Sequence, residues 1–271
     1  MKTLKNQKIG LIGAGNMGAS ILEGVLKKRL ATPSHVWVYD KDAGKARFFA
    51  RRYRVGFTSS ASELLKKVNV VLLAIKPQDL PSFASENRVS FKLGHKVVSI
   101  LAGMTTEKIA KMLRRDIEIV RAMPNLGAKA GQSMTVVCGK NKKGLSLAAA
   151  LFAGCGEVVA LPEKMLDLVT ALSGSGPAYF FHLMELLEDF GVKRGLSPKV
   201  AWILAVQTGL GAALLAKDSK ISCAALRQMV TSKKGTTDAA LKVLQRGKFK
   251  KIFHQALAAA TARSRALRKG A

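Results

Sequence analysis

The sequence predicts an α/β fold in two parts: a doubly wound parallel sheet over residues 1–162, then an all-helical segment over 163–271. Three observations predict it. Short apolar runs of strand type alternate with helical patterns through the first part. A glycine-rich turn, Gly13-Ala14-Gly15-Asn16-Met17-Gly18, separates the first such run from the first helical pattern. After Pro162 the strand texture ends, and apolar residues recur at helical spacing. Strand alternating with helix implies crossover connections, which are right-handed in a parallel sheet.

The elements follow in order. Lys8-Ile9-Gly10-Leu11-Ile12 is a short run stopped by Gly13, and Ile21, Leu22 and Val25 mark the helix that follows. Val36-Trp37-Val38-Tyr39 is a β-branched and aromatic run ending at Asp40, with a basic helical segment from residue 43 to about 54. Further strands are expected at 68–75, 96–101, 117–123, 134–138 and 157–161, with helices between the first three. Beyond Pro162, helices are expected at 179–190, 200–215, 224–229, 239–244 and 252–267, broken by turns at 174–177, 191–198, 233–235 and Gly247. A helical domain of this size cannot bury so many apolar faces alone, so it is expected to form a homodimer or higher homo-oligomer.

Composition narrows the function classes. The chain has 271 residues, 48% of them hydrophobic, enough to fill a core. The most apolar stretch, residues 201–216, is interrupted by Gln207 and Thr208 and is expected to be a buried helix, not a membrane span. Residues 1–7 carry lysines but lack the apolar segment of a secretory leader, so a cytoplasmic location is expected. Cys138, Cys155 and Cys223 are odd in number and far apart, which suggests neither disulfides nor a metal knuckle. His35, His95, His182 and His254 lie at no metal or base spacing, and no metal site is expected. The net charge of +28 would attract polyanions. Yet residues 1–160 hold 27 basic and 10 acidic side chains and residues 161–271 hold 18 and 7, so the charge is spread. With aromatics at only 6%, a nucleic-acid partner is not expected.

The glycine turn carries the first chemistry. In a strand–turn–helix context, Gly13 permits the sharp turn, Gly15 lets backbone approach a pyrophosphate, and Gly18 allows close helix–strand packing. Unsatisfied amides at the helix start and the helix dipole favour a diphosphate there, so a nicotinamide dinucleotide is expected. Asp40 stands where a carboxylate accepts from adenosine ribose hydroxyls, favouring NADH. Lys41, Lys45 and Arg47 could neutralise a 2′-phosphate, and the basic neighbourhood tips the expectation slightly towards NADPH. Ala74-Ile75-Lys76-Pro77 closes the 68–75 run, at the carboxyl edge where open α/β sheets bind ligands.

Ala74-Ile75-Lys76-Pro77, together with Asn16-Met17 inside the glycine motif, resembles the cofactor loop of pyrroline-5-carboxylate reductases. Three later strings extend the resemblance over nearly the whole chain: Arg121-Ala122-Met123-Pro124-Asn125, Leu172-Ser173-Gly174-Ser175-Gly176-Pro177-Ala178-Tyr179, and Ser232-Lys233-Lys234-Gly235-Thr236-Thr237 before Ala239-Ala240-Leu241. The resemblance implies a Rossmann-type domain followed by a helical dimerisation domain, and the NAD(P)H-dependent reduction of 1-pyrroline-5-carboxylate to L-proline.

It also implies roles by residue. Gly13, Ala14, Gly15, Asn16, Met17, Asp40, Lys41, Ala74, Ile75, Lys76, Pro77 and Ala102 would contact the dinucleotide. Gly235, Thr236, Thr237 and Ser175 would hold the substrate, with backbone amides on its carboxylate and the Thr237 hydroxyl beside the ring nitrogen as the catalytic group. Glycine and two hydroxyl residues also make a good helix start in their own right. Three places depart from the family's pattern: Lys233-Lys234 replace Pro-Gly, Lys220 stands where an acidic residue is common, and Leu126 follows Met-Pro-Asn where proline or threonine is usual. These departures leave open a related imine or ketoacid reductase. A non-catalytic dinucleotide- or nucleic-acid-binding protein is the alternative from another class.

Overall fold

The computed structural model describes residues 4–270. They divide into two compact units, the first running to Ser175 and resuming at Ala260, the second being Gly176–Ala259.

In the first unit the elements run β1 (Ile9–Ile12), α1 (Asn16–Lys27), β2 (Val36–Tyr39), α2 (Ala43–Tyr53), β3 (Gly56–Phe57), α3 (Ala61–Lys67), β4 (Val70–Leu73), α4 (Leu80–Asn87), β5 (Lys96–Ser99), α5 (Thr106–Leu113), β6 (Glu118–Met123), β7 (Ser133–Cys138), α6 (Lys142–Phe152), β8 (Gly156–Ala160) and α7 (Leu166–Val169). The strands form one sheet in the order β3-β2-β1-β4-β5-β6-β7-β8. Among the described residues every pairing is parallel except β6 with β7. From β1 the chain moves outward to β2 on one side, then returns to β4 on the other, so the strand order reverses beside β1. The carboxyl ends are level there, with Ile12 opposite both Tyr39 and Leu73.

Burial explains why these residues are strands. β1 and β4 are buried at every position, because helices cover both faces, and their runs are therefore continuously apolar. Ile21, Leu22 and Val25 of α1, Phe49 of α2 and Leu151 and Phe152 of α6 share one core. Leu64 and Leu65 of α3, Leu80 and Phe83 of α4 and Ile109 and Leu113 of α5 share the other.

Several features differ from the expectation. β3 has only two residues and α3 seven, too few to declare a period; α6 also went unpredicted. The expected division at residue 162 follows the change of texture, whereas packing divides the chain at 175/176. Leu166 and Val169 of α7 pack with Val136 and Cys138 of β7. The end of α12 (Phe249–Gly270) also belongs to the first unit, where the buried Asp167 accepts from Ser264 Oγ at 2.9 Å. Arg268 Nε lies 3.1 Å from the other Asp167 oxygen but off the line of a hydrogen bond, so that contact is electrostatic.

The second unit contains α8 (Gly176–Lys193), α9 (Pro198–Asp218), α10 (Cys223–Met229), α11 (Thr236–Arg246) and the start of α12. α8 and α9 run antiparallel and approach closely where a side chain is missing, at Gly191 beside Ala201 and at Gly209 beside Met184. The expected helix at 201–216 forms, but only Ala201 and Ala205 of α9 are buried within one chain. Phe180 is 64% exposed and Trp202 53%. By length and composition α9 could cross a membrane.

Candidate functional site

The carboxyl edge beside β1 gathers the expected dinucleotide residues. Gly13 has φ +98°, the left-handed region that favours glycine, and a Cβ there would lie 2.6 Å from the Ala74 carbonyl oxygen. Its amide donates to Tyr39 O at 2.9 Å, and Ala74 N donates to Ile12 O at 2.8 Å. The turn is thus held between the ends of β2 and β4. At Gly18 a Cβ would meet Gly13 O and, at 2.9 Å, the Ala74 Cβ, which is why α1 can cross so near the turn.

Gly15 is different: a Cβ there would meet nothing within 4 Å. It forms the N-cap of α1 with no side-chain cap, and no acidic residue stands in the first turn. α2, α3, α5 and α6 all carry a side-chain cap, from Asp42, Ser60, Thr105 and Asn141. The start of α1 therefore presents uncapped amides to an open cradle, which fits a diphosphate. A cavity of about 340 Å³ borders Gly15, Asn16, Ser20 and Lys129.

At the end of β2, Asp40 Oδ2 accepts from Ala14 N at 2.7 Å and Oδ1 from Asp42 N at 2.8 Å. Lys41 Nζ lies 3.2 Å from Asp79, just past Pro77, so an ion pair links the two walls of the edge. Lys45 lies 3.6 Å from Asp42, and Arg47 Nε donates to Ala43 O within its own helix. Lys76 is exposed, Ile75 and Pro77 half-buried. Ala102 is exposed just beyond β5, next to Gly103, whose φ is +74°.

The Leu172-Ser173-Gly174 string forms a π-helical turn over Thr170–Gly174, closed by Ser175 N donating to Thr170 O at 2.8 Å. Such turns recur at functional sites. Asn125 Nδ2 donates to Ser173 O at 3.0 Å, joining the Met-Pro-Asn loop to this turn. Gly174 permits the approach, since a Cβ there would lie 2.9 Å from Met123 Cε. Ser175 is half-buried.

In the second unit, Gly235 is the N-cap of α11 and carries no side-chain cap bond. A Cβ at Gly235 would meet the Ser232 Oγ, so the serine side chain packs close over the helix start. Thr236 is exposed and Thr237 half-buried. Lys234 takes φ +62°, the left-handed conformation suited to the glycine that the family pattern places there. Its amide donates to Asp238 Oδ2 at 3.2 Å, and Lys242 pairs with the same carboxylate at 2.8 Å.

The remaining titratable groups play other parts. Burial pushes the Cys138 thiol up to about 12 and Cys155 to about 11, so neither is a thiolate nucleophile at neutral pH. His95 is buried and bonded at both ring nitrogens, and desolvation lowers its pKa. His182 has a partner that its isolation in the sequence did not suggest: Glu185 Oε2, at 3.1 Å on the same helix. Sequence reasoning also missed Lys129 and Asp79, and named Asn125 only within a family string, without its partner. Only the spacing of Asp79 two residues past Pro77 could have signalled one of them, because the others arrive through the β6–β7 connection.

Known proteins resemble the chain over nearly its full length. The family pattern described as pyrroline-5-carboxylate reductase dimerisation matches residues 163–267. The pattern described as NADP oxidoreductase, coenzyme F420-dependent, matches residues 8–103. The chain is 34% identical over 269 residues to a pyrroline-5-carboxylate reductase of Methanosarcina acetivorans, covering 98% of this chain and 100% of that one. The solved structure of a pyrroline-5-carboxylate reductase from Coxiella burnetii matches with a TM-score of 0.90 at 34% identity, covering 97% of this chain and 99% of that one. That of the Plasmodium falciparum enzyme with NADP bound matches at 0.86 and 27%, covering 97% and 99%. The exposed apolar faces of α8 and α9 lie within the segment that the dimerisation pattern matches. A turn shaped for a diphosphate, the π-helical string and the Gly-Thr-Thr helix start, spread over the full length of such relatives, lead to one conclusion: the chain belongs to the pyrroline-5-carboxylate reductase family.

Proposed function

We infer that this protein catalyses the NAD(P)H-dependent reduction of 1-pyrroline-5-carboxylate to L-proline, an oxidoreductase step of proline biosynthesis. The observation that carries the reading is the open, uncapped start of α1 in a chain of this family. When bound, the reduced nicotinamide supplies the hydride for the imine carbon. The amides of Asn16 and Met17 would receive the diphosphate over the turn that Gly13, Ala14 and Gly15 shape, and Ala74, Ile75, Lys76, Pro77 and Ala102 would line the nicotinamide side. Gly235, Thr236 and Thr237 bind the substrate carboxylate through backbone amides, with Ser175 as a further polar contact. The Thr237 hydroxyl orients the ring nitrogen and exchanges its proton. A protonated imine is already electrophilic, so positioning and anion binding supply most of what catalysis requires.

NADPH is favoured, because Lys45 and Arg47 offer charge to a 2′-phosphate near the end of β2. The helical region assembles the chain at least into dimers, and a cytoplasmic location agrees with three unpaired cysteines. The test follows the loss of reduced-cofactor absorbance with 1-pyrroline-5-carboxylate, other cyclic imines and ketoacids. Turnover with the first substrate far above the rest is expected; preference for another imine or a ketoacid would replace the assignment. No substrate-dependent oxidation together with steeply salt-dependent DNA binding would point to the non-catalytic alternative. Thr237→Ala should lower kcat with little change in substrate KM, and an unchanged kcat would remove the catalytic role of that hydroxyl.

A further inference from the structure

The structure assigns Asp40 a positioning role: its carboxylate braces the phosphate-binding turn and does not select between the two dinucleotides. The inference rests on the dinucleotide reading of the same site. A carboxylate that reads the adenosine ribose turns its oxygens towards the two ribose hydroxyls. Here Oδ2 accepts from Ala14 N at 2.7 Å and Oδ1 from Asp42 N at 2.8 Å, so each oxygen already serves a backbone donor and keeps one lone pair, and the orientation of the carboxylate is set by the chain itself. The first bond runs from the turn after β1 to the end of β2 and joins residues 26 apart, while the second fixes the carboxylate within the end of β2.

The brace matters because of where it pulls. Gly13 holds a left-handed conformation against the Ala74 carbonyl, and Gly13 N is tied to Tyr39 O. Ala14 is the next residue, and Gly15, the N-cap of α1, follows it. Fixing Ala14 N on Asp40 therefore sets the direction in which the chain enters α1, and with it the aim of the uncapped amides. It also withdraws Ala14 N from the set that a diphosphate could use. Hydrogen bonds to an ionised acceptor are about twice as strong as neutral ones. Releasing both would let the turn sample conformations in which its amides diverge.

The two roles predict opposite outcomes for one substitution. Asp40→Asn keeps the shape but loses the charge and presents an amide hydrogen to at least one of the two backbone donors. If Asp40 is a brace, Asp40→Asn should weaken NADH and NADPH together, each by about tenfold or more, leaving the ratio of their dissociation constants within about twofold of wild type. Dinucleotide KM should rise while kcat at saturation stays near the wild-type value, and the melting temperature should fall by only a few degrees. Titration calorimetry of the nucleotide complexes measures the ratio, and steady-state kinetics the split. Weaker NADH with unchanged or tighter NADPH would overturn the proposal in favour of ribose reading, as would no change in either. Should Asp40→Asn not fold, hydrogen exchange of the nucleotide-free wild type decides: slow exchange at the Ala14 amide is expected, and fast exchange overturns the brace. If wild type binds neither dinucleotide, it is the proposed function that fails.

Discussion

Replacing Gly15 by alanine separates folding from binding in a single position. Gly15 has φ −68° and ψ 177°, which any L-residue adopts, and a Cβ there meets no protein atom within 4 Å. Two small effects act on stability. Loss of glycine's freedom in the unfolded chain gains about 0.4–1 kcal/mol, while alanine is a poorer N-cap than glycine by about 0.5–1 kcal/mol. They offset, so the melting temperature should stay within about 3 °C of wild type. The space that the methyl enters is the space above the start of α1, where the diphosphate approaches. Displacing it from one or two amides forfeits about 3 kcal/mol, roughly a hundredfold in Kd. Fluorescence quenching with each reduced dinucleotide measures the affinity and calorimetry the melting temperature. Gly13→Ala is the contrasting control: at φ +98° with backbone 2.6 Å away it should cost about 2–3 kcal/mol of stability, melting roughly 5–10 °C lower. A Gly15→Ala protein that binds within threefold of wild type would refute the argument that this cradle holds the diphosphate.

Other outcomes follow from features elsewhere. His95 is buried with its pKa lowered, so below about pH 6.5 the unfolded state takes up a proton that the native state resists. Stability should therefore fall as pH drops below that value, by up to about 1.4 kcal/mol per pH unit from this group, and a pH series of chemical denaturation on His95→Asn should show a shallower slope. Asp167→Ala leaves the Ser264 hydroxyl buried without an acceptor and Arg268 without its counter-charge. With Arg268 40% exposed, a loss of about 2–3 kcal/mol is expected, and a Ser264→Ala, Asp167→Ala double-mutant cycle should show coupling between the two. Trp202→Glu introduces a charge on the apolar face of α9 and should shift the sedimentation profile towards single chains; an unchanged profile would place the interface elsewhere.

The parallel sheet was legible because β1 and β4 are buried on both faces and so appear as unbroken apolar runs. Gly13 and Gly18 were legible because each has its own steric reason within the fold. β3 was not, since two residues declare no period, and nothing in the composition of residues 133–138 distinguishes an antiparallel strand from a parallel one. The 201–216 helix was found, but the chain itself buries only Ala201 and Ala205 of it, because composition records that a helix is apolar and not what covers it. At the site, Asp40 was located by its place at the end of β2, yet the partners of its oxygens depend on backbone amides that no side-chain pattern records.

The return of the chain to its first unit at Ala260 bears on how the protein can be taken apart. The second unit is, in chain order, an insertion into the first, and α12 runs across the boundary without a break. A fragment stopped at Ser175 would leave Asp167 with neither Ser264 nor Arg268, and Lys108 without the Arg268 carbonyl that it meets at 2.7 Å. A dinucleotide-binding piece that keeps those contacts must carry the last helical turns grafted back on. Loss of even a short tail is thus felt in the sheet unit, far away in sequence from where the cut is made.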